Sequence, residues 1–364
     1  MLEEKRRIIE ELRRVVGEEG AERASRDHHS KRRPRPCGMT IHTGLGCVNG
    51  CVYCYAYSMG FPARDEPYPL SGEEMALALA MNPHVFPERT LAAFGSVTEP
   101  FLPRSRSRAL EYLGSVWRWL RLPEQLSTKM LADEAVVEGL RGADPRLDAL
   151  VTVVTIERHR VLEPRAPSPL ERLRSWGEAG KRLGISVTLF MRPIIPGVTD
   201  REAEKILSAS AEAGVTRIVT GCLRITPGIV DRLRRAGVPT TEILRRAPRM
   251  PRDERDQVSI RCNDLRKRVE DLARDLGMKV FPSACASNID AHGEYCALCD
   301  YGPCGDPSKD VARSCTEVDD LMQYLGSRCR CEEVTPTRIV LRGRASARHL
   351  EVLSSIARKR VVVV

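Results

Sequence analysis

The sequence predicts an α/β fold: a parallel sheet curled into a full or partial barrel of six βα units, then a cysteine-rich C-terminal extension ending in a βαβ appendage. Three observations predict it. From residue 39 to about 224, short β-branched or apolar runs alternate six times with amphipathic helical stretches, and strands joined through helices run parallel with right-handed crossovers. From about residue 252 the alternation stops, and cysteines gather around Gly, Pro and Tyr on an irregular segment. The chain then returns to an apolar run (338–341), a helical pattern (345–357) and a second apolar run (361–364).

In chain order, residues 1–36 read as a lead-in, one charged helix over 2–16 and a basic, proline-broken linker ending Arg33-Pro34-Arg35-Pro36. The barrel strands are expected at 40–43, 91–95, 125–129, 150–156, 186–191 and 217–223, with helices near 71–82, 107–120, 132–141, 168–183, 201–213 and 228–235. A helix over 253–276 stops at Gly277 and precedes a short strand at 279–281. The expected units are therefore 1–36, a barrel over 37–250, a helix with a metal-binding extension over 251–334 and a small basic appendage over 335–364.

Sites in such folds lie at the C-terminal ends of the strands. Directly after the first strand comes Gly46-Cys47-Val48-Asn49-Gly50-Cys51-Val52-Tyr53-Cys54-Tyr55-Ala56, a CxxxCxxC spacing on a segment too short for a stable helix. Three thiolates this close can converge on one metal centre. A structural zinc would draw a fourth ligand from Cys37 or His42. The x3-then-x2 spacing, with an aromatic before the third cysteine, resembles instead the radical S-adenosylmethionine (SAM) enzymes. In that superfamily three cysteines hold a 4Fe-4S cluster and leave one iron open for the amino and carboxylate groups of SAM.

The other strand ends fit that expectation. After strand two runs Gly95-Ser96-Val97-Thr98-Glu99-Pro100-Phe101-Leu102-Pro103; strand three ends Ser127-Thr128-Lys129; strand four supplies Thr155 and Glu157; strand five leads into Arg192-Pro193-Ile194-Ile195-Pro196-Gly197. Lys129 or Arg192 suits a carboxylate, and Glu99 or Glu157 an amine or ribose hydroxyls. These runs, with Leu162-Glu163-Pro164-Arg165-Ala166-Pro167-Ser168-Pro169 and Val198-Thr199-Asp200, resemble the spore photoproduct lyase-like branch over residues 37–225. The resemblance implies a partial (β/α)6 barrel, with Cys47, Cys51 and Cys54 as cluster ligands. It also implies SAM contacts from Tyr53, Ser96, Thr98, Glu99, Lys129, Thr155, Glu157, Arg192 and Ile195, and an electron donor such as a ferredoxin or flavodoxin. One position departs: where spore photoproduct lyase places a hydrogen-donating cysteine in the turn after strand two, this chain has Val97. Catalytic residues stay unassigned, with Tyr55, Tyr57 and Cys222 as candidate hydrogen donors.

The distal cysteines are spaced Cys285-(x10)-Cys296-(x2)-Cys299-(x4)-Cys304-(x10)-Cys315, with Cys329 and Cys331 beyond. A loop with so little apolar material needs a staple, either zinc or a second iron-sulfur cluster on Cys285, Cys296, Cys299, Cys304 and Cys315. Cys222 and Cys262 read as plain buried cysteines.

Composition narrows the class. Of 364 residues, 13 are cysteine and none of the apolar runs approaches the length of a membrane span, so metal ligation in a cytoplasmic setting is expected rather than a disulfide framework. The net charge of +9 is spread along every helix, with denser stretches at 23–35 and 338–360 that could meet phosphates. The expected function is a radical SAM enzyme that cleaves SAM reductively and abstracts hydrogen from a substrate, with nucleic acid favoured. The alternatives are a peptide- or metabolite-modifying enzyme with an auxiliary cluster and a non-catalytic iron-sulfur or zinc protein that binds nucleic acid.

Overall fold

A computed structural model describes residues 2–34 and 38–364; Arg35, Pro36 and Cys37 of the expected linker and loop lie outside the described residues. The chain opens with helix α1 (Leu2–Arg26), broken at Gly17 where φ is 69° and ψ is −178°. The expected helix end at residue 16 is therefore a break between two helical segments. The second segment replaces the expected linker, and with Ile8, Leu12 and Ala24 buried, α1 belongs to the core rather than to a lead-in.

The barrel follows as β1 (Met39–Ile41), α2 (Gly72–Met81), β2 (Ala92–Phe94), α3 (Arg106–Leu120), β3 (Glu124–Thr128), α4 (Glu134–Leu140), β4 (Asp148–Thr152), the single turn α5 (His159–Leu162), α6 (Pro169–Leu183), β5 (Ser186–Ile194), α7 (Ala203–Glu212) and β6 (Arg217–Cys222). All six expected strands and the helices between them are present. Local signals explain the boundaries. Ser71 and Glu74 form a reciprocal capping box at the start of α2, Asp133 caps α4, and Gly184 ends α6 with a left-handed residue.

Next come β7 (Arg224–Ile225), α8 (Pro227–Arg235), α9 (Thr240–Arg245), β8 (Val258–Ser259), α10 (Asn263–Asp275) and β9 (Lys279–Phe281). The helix expected from residue 253 begins ten residues later, at Asn263. Strand β9 pairs in parallel with β6, so the sheet has seven strands in the order β1-β2-β3-β4-β5-β6-β9. Along β5, Val187, Leu189 and Met191 join the core shared with the helices, and the alternate residues Thr188, Phe190 and Arg192 face the barrel interior.

Helix α11 (Ala284–Ala291) closes the bottom of that interior. Gln125 of β3 donates to the Ala284 carbonyl at 2.7 Å, Thr188 of β5 meets Ser287 at 3.0 Å, and Arg217 of β6 pairs with Asp290 at 2.7 Å. All three partners stand at the N-terminal ends of their strands, opposite the mouth.

The hairpin β10 (Tyr295–Cys296) and β11 (Cys304–Gly305), helix α12 (Cys315–Tyr324), strands β12 (Arg330–Val334) and β13 (Arg338–Arg342), helix α13 (Ala347–Ala357) and β14 (Arg360–Val363) complete the chain. The appendage is the expected βαβ unit with one added antiparallel strand, β12. It packs as a cover: Val352 and Ile356 bury against Phe86, and Ala297 donates to the Arg358 carbonyl at 2.8 Å.

Candidate active site at the mouth of the barrel

The cysteine loop leaves the C-terminal end of β1 and is held on every side. Gly46 approaches the chain so closely that a Cβ would lie 2.3 Å from the Pro62 carbonyl oxygen. Gly50, at φ 69°, takes a left-handed turn between Cys47 and Cys51. Tyr57 accepts from the Gly50 amide at 3.1 Å and donates to the Cys47 carbonyl at 3.2 Å. Arg232 of α8 donates to the Val52 and Cys54 carbonyls, both at 2.9 Å. The segment after α5 docks on the same loop, the Val52 amide donating to the Leu162 carbonyl at 3.0 Å and Arg165 to the Val48 carbonyl at 3.2 Å.

Beneath the loop lies a charged brace that sequence reasoning missed. Tyr53 donates to Glu163, Glu163 pairs with Arg172, and Arg172 donates to the Thr152 carbonyl at 2.6 Å; both charged side chains are fully buried. Burial alone would raise the Glu163 carboxyl, but Arg172 and Lys129 outweigh it and hold it below the usual range. Glu163 stands in the Leu-Glu-Pro-Arg stretch already singled out, and its pairing with Arg172 nine residues on could have been read as a charged pair across a turn.

The site residues named from sequence divide into three groups. Lys129 reaches the cysteine loop: its ammonium lies 5.6 Å from the Tyr53 ring centroid, and the Cys51, Glu163, Cys54 and Glu99 charges raise its pKa although burial opposes them. Glu99 is buried, and it accepts from the Thr128 hydroxyl and from the Lys129 and Phe101 amides, which leaves one of its roughly four acceptor positions open. Ile195 packs in one apolar cluster with Cys51 and Tyr53. Ser96 is exposed, and its carbonyl takes the Tyr55 hydroxyl at 2.6 Å; Arg192 is exposed beside Gly221, and Thr98 is buried.

Thr155 and Glu157 are turned elsewhere. Thr155 donates to Glu202 at 2.6 Å, and Glu157 forms an exposed ion pair with Lys205 at 2.9 Å.

The donor set of the loop, three cysteines on one short segment, suits a thiolate-bound metal centre. Burial pushes the Cys47 thiol up to about 11 and raises Cys51 further, so a metal must displace those protons. Tetrahedral zinc would hold thiolates about 3.8 Å apart. Among the described residues, however, the only trio of metal-binding groups with ligand atoms within 4.8 Å of one another is a histidine set elsewhere. The Cys47, Cys51 and Cys54 sulfurs do not form such a trio. Two buried atoms flanking them, Thr43 Oγ1 and Asn49 Oδ1, have no hydrogen-bond partner among the described residues.

The distal cysteines resolve into two sets. Cys296 and Cys304 face each other across β10 and β11, Cys299 lies in their turn, and Cys285 occupies the first turn of α11. Burial raises both Cys296 and Cys304, the latter to about 11, and the neighbouring cysteines push in the same direction. Cys315 does not join them, because it is bonded to Cys331. A second disulfide joins Cys222 to Cys262. The two bonds take Cys315 out of the expected ligand set and Cys222 out of the candidate hydrogen donors.

Within the basic stretch 338–360, Arg338 pairs with Glu333, Arg342 with Glu332, Arg358 with Glu294, Lys359 with Asp310 and Arg360 with Asp300; the Arg358 and Lys359 pairs are buried and the other three exposed.

No family model and no curated relative matches the sequence. Solved structures do match. A spore photoproduct lyase variant with bound AdoMet and dinucleoside spore photoproduct aligns at 16% identity and TM-score 0.56, over 71% of this chain and 81% of that one. A second variant of that lyase aligns at 17% identity and TM-score 0.53, over 67% and 74% of the two chains. No helix among the described residues is long and apolar enough to cross a membrane. The chain shares its fold with spore photoproduct lyase, the radical SAM barrel that the sequence resemblance implied.

Proposed function

We propose that the protein is a radical SAM enzyme with Cys47, Cys51 and Cys54 as the ligands of a 4Fe-4S cluster. The observation that supports it most is the placement, at one barrel mouth, of three cysteines in this spacing, Cys51 buried and Cys47 and Cys54 half-buried, beside the ammonium of Lys129. When bound, such a cluster passes one electron to SAM, which breaks to methionine and a 5'-deoxyadenosyl radical able to take hydrogen from a substrate. The chain supplies the setting. Lys129 and Arg192 would receive the SAM carboxylate, the open position on Glu99 its amine, and Ile195 apolar contact; Tyr53 would lie against the adenine while its hydroxyl stays on Glu163. Ser96 and Thr98 would line the rim, and the exposed or diverted Glu157 and Thr155 would take no part.

The substrate we favour is nucleic acid. Its support comes from the basic groups Lys129 and Arg192 at the strand ends and from a structural neighbour that holds a dinucleoside. A second reading, a peptide or metabolite substrate, is favoured by the distal cysteines. We propose that Cys285, Cys296, Cys299 and Cys304 hold a second metal centre. Either an iron-sulfur cluster or zinc would suit four cysteines in this uneven spacing.

The test is iron, zinc and sulfide per chain after anaerobic reconstitution, on the wild type and on a Cys47→Ala, Cys51→Ala, Cys54→Ala variant, with SAM binding by equilibrium dialysis. The proposal expects the variant to lose SAM binding and about four irons while keeping the distal metal. Unchanged iron and SAM binding in the variant would sink it. A steep fall of DNA or RNA affinity with salt would support the nucleic-acid substrate, and a flat response the second reading.

A further inference from the structure

Three histidines meet between the end of α1 and the end of β1. His28 and His29 begin the short turn that follows α1, and His42 directly follows β1. Their ring centroids lie 4.0 to 5.2 Å apart, and one ligand nitrogen from each falls within 4.8 Å of the others. Nitrogens around a tetrahedral zinc sit about 3.4 Å apart, so small ring movements would close the set.

The groups behind the rings supply a second, independent observation. Asp27 Oδ1 lies 2.7 Å from His29 Nδ1, and its other oxygen accepts from the Tyr68 hydroxyl at 2.7 Å. The Tyr68 oxygen, its own proton committed to Asp27, lies 3.1 Å from His28 Nδ1. This chain of hydrogen bonds assigns the Nδ1 protons of both histidines and leaves the Nε2 lone pair of His28 for a ligand, while that of His29 accepts the His42 amide. A carboxylate or hydroxyl behind each imidazole is the support that metal-binding histidines use.

The polar contact at His29 Nε2 is the His42 backbone amide, at 3.2 Å, the long end of the range, which an ion could replace. The nearby Arg32 guanidinium donates to the Thr40 carbonyl, and Asp27 offsets its charge. His29 is fully buried while the His28 side chain is 43% exposed, which leaves a path for entry.

We propose that His28, His29 and His42 bind one divalent ion of intermediate softness, such as zinc, nickel or cobalt, which ties the N-terminal helix to the strand that leads into the cysteine loop. Imidazole donors without thiolate suit those ions. Phe61, from the segment after the loop, packs edge-on against His42 at 5.8 Å, so the ion would steady the loop base as well. The proposal stands on its own geometry and does not depend on the radical SAM reading.

The experiment is a titration of chelator-treated, cluster-loaded protein with cobalt(II), read by bound cobalt per chain and by its absorption spectrum. One ion per chain is expected, with a spectrum free of thiolate-to-cobalt charge transfer. Asp27→Asn should weaken binding about tenfold to a hundredfold, and His42→Ala should abolish it. His28→Ala alters an exposed side chain and serves if His42→Ala fails to fold; it should lower affinity at least as much as Asp27→Asn. No bound cobalt, thiolate bands, or unchanged affinity in folded His28→Ala would overturn the proposal.

Discussion

The brace under the cysteine loop makes the sharpest prediction. Glu163 and Arg172 are fully buried and paired, with Tyr53 and the Thr152 carbonyl as their other partners. Removing one charge strands the other, at a cost of about 3–5 kcal/mol. Glu163→Leu and Arg172→Met should therefore each lower unfolding stability by that amount. Removing both leaves neither member of the pair alone. What remains is the Tyr53 hydroxyl without its acceptor and the Thr152 carbonyl without its donor, about 1–3 kcal/mol each, with Lys129 deprived of one neighbouring carboxylate. The double variant should thus cost less than the sum of the two single ones. Denaturant unfolding of the metal-free protein, followed by circular dichroism, measures all four members of the cycle. Single variants within about 1 kcal/mol of wild type, or a double variant that costs the sum of the two, would refute the reasoning.

Two further predictions follow from the distal half and the N-terminus. Cys304→Ser should lower the metal retained by the Cys47, Cys51 and Cys54 triple variant, whereas Cys315→Ser should not, since Cys315 is bonded to Cys331; equal losses would restore Cys315 as a ligand. Lys5 donates to the Asn82 and Val85 carbonyls, and burial, helped by Arg348, lowers its pKa to about 8 from 10.5. Between those values the unfolded chain holds a proton that the folded one has released, so stability should rise from pH 8 toward 10.5, a gain absent below 8. In Lys5→Met that rise should shrink, by an amount on the order of 3 kcal/mol at its limit; an identical pH profile would contradict the assignment.

The barrel was legible because its signals are local. Apolar runs such as 186–191 and caps such as Ser71 and Gly184 announce themselves within a few residues, and the loop from Cys47 to Cys54 carries its chemistry in its spacing. What escaped depends on partners distant in sequence. Strand β9 looked isolated until it paired with β6, and α11 closes the barrel through Ser287 and Asp290, whose partners Thr188 and Arg217 lie about seventy or more residues away. The disulfide between Cys222 and Cys262 spans 40 residues and leaves no spacing signature. The basic residues near the C-terminus look unpaired in sequence because Glu294, Asp300 and Asp310 meet Arg358, Arg360 and Lys359 only in the fold. Among the polar residues named at strand ends, Lys129 lies beside the cysteine loop, whereas Thr155 is engaged by Glu202, a partner 47 residues away that the local pattern does not show.

The central claim is that this mouth holds a cluster that cleaves SAM. Its most direct test is 5'-deoxyadenosine formed when cluster-loaded protein is reduced with dithionite in the presence of SAM, with and without DNA or RNA oligonucleotides. The account predicts 5'-deoxyadenosine from the wild type, none from the Cys47, Cys51 and Cys54 triple variant, and a clear loss in Lys129→Ala with iron content preserved. A wild type that carries its full iron and still forms no 5'-deoxyadenosine would contradict it.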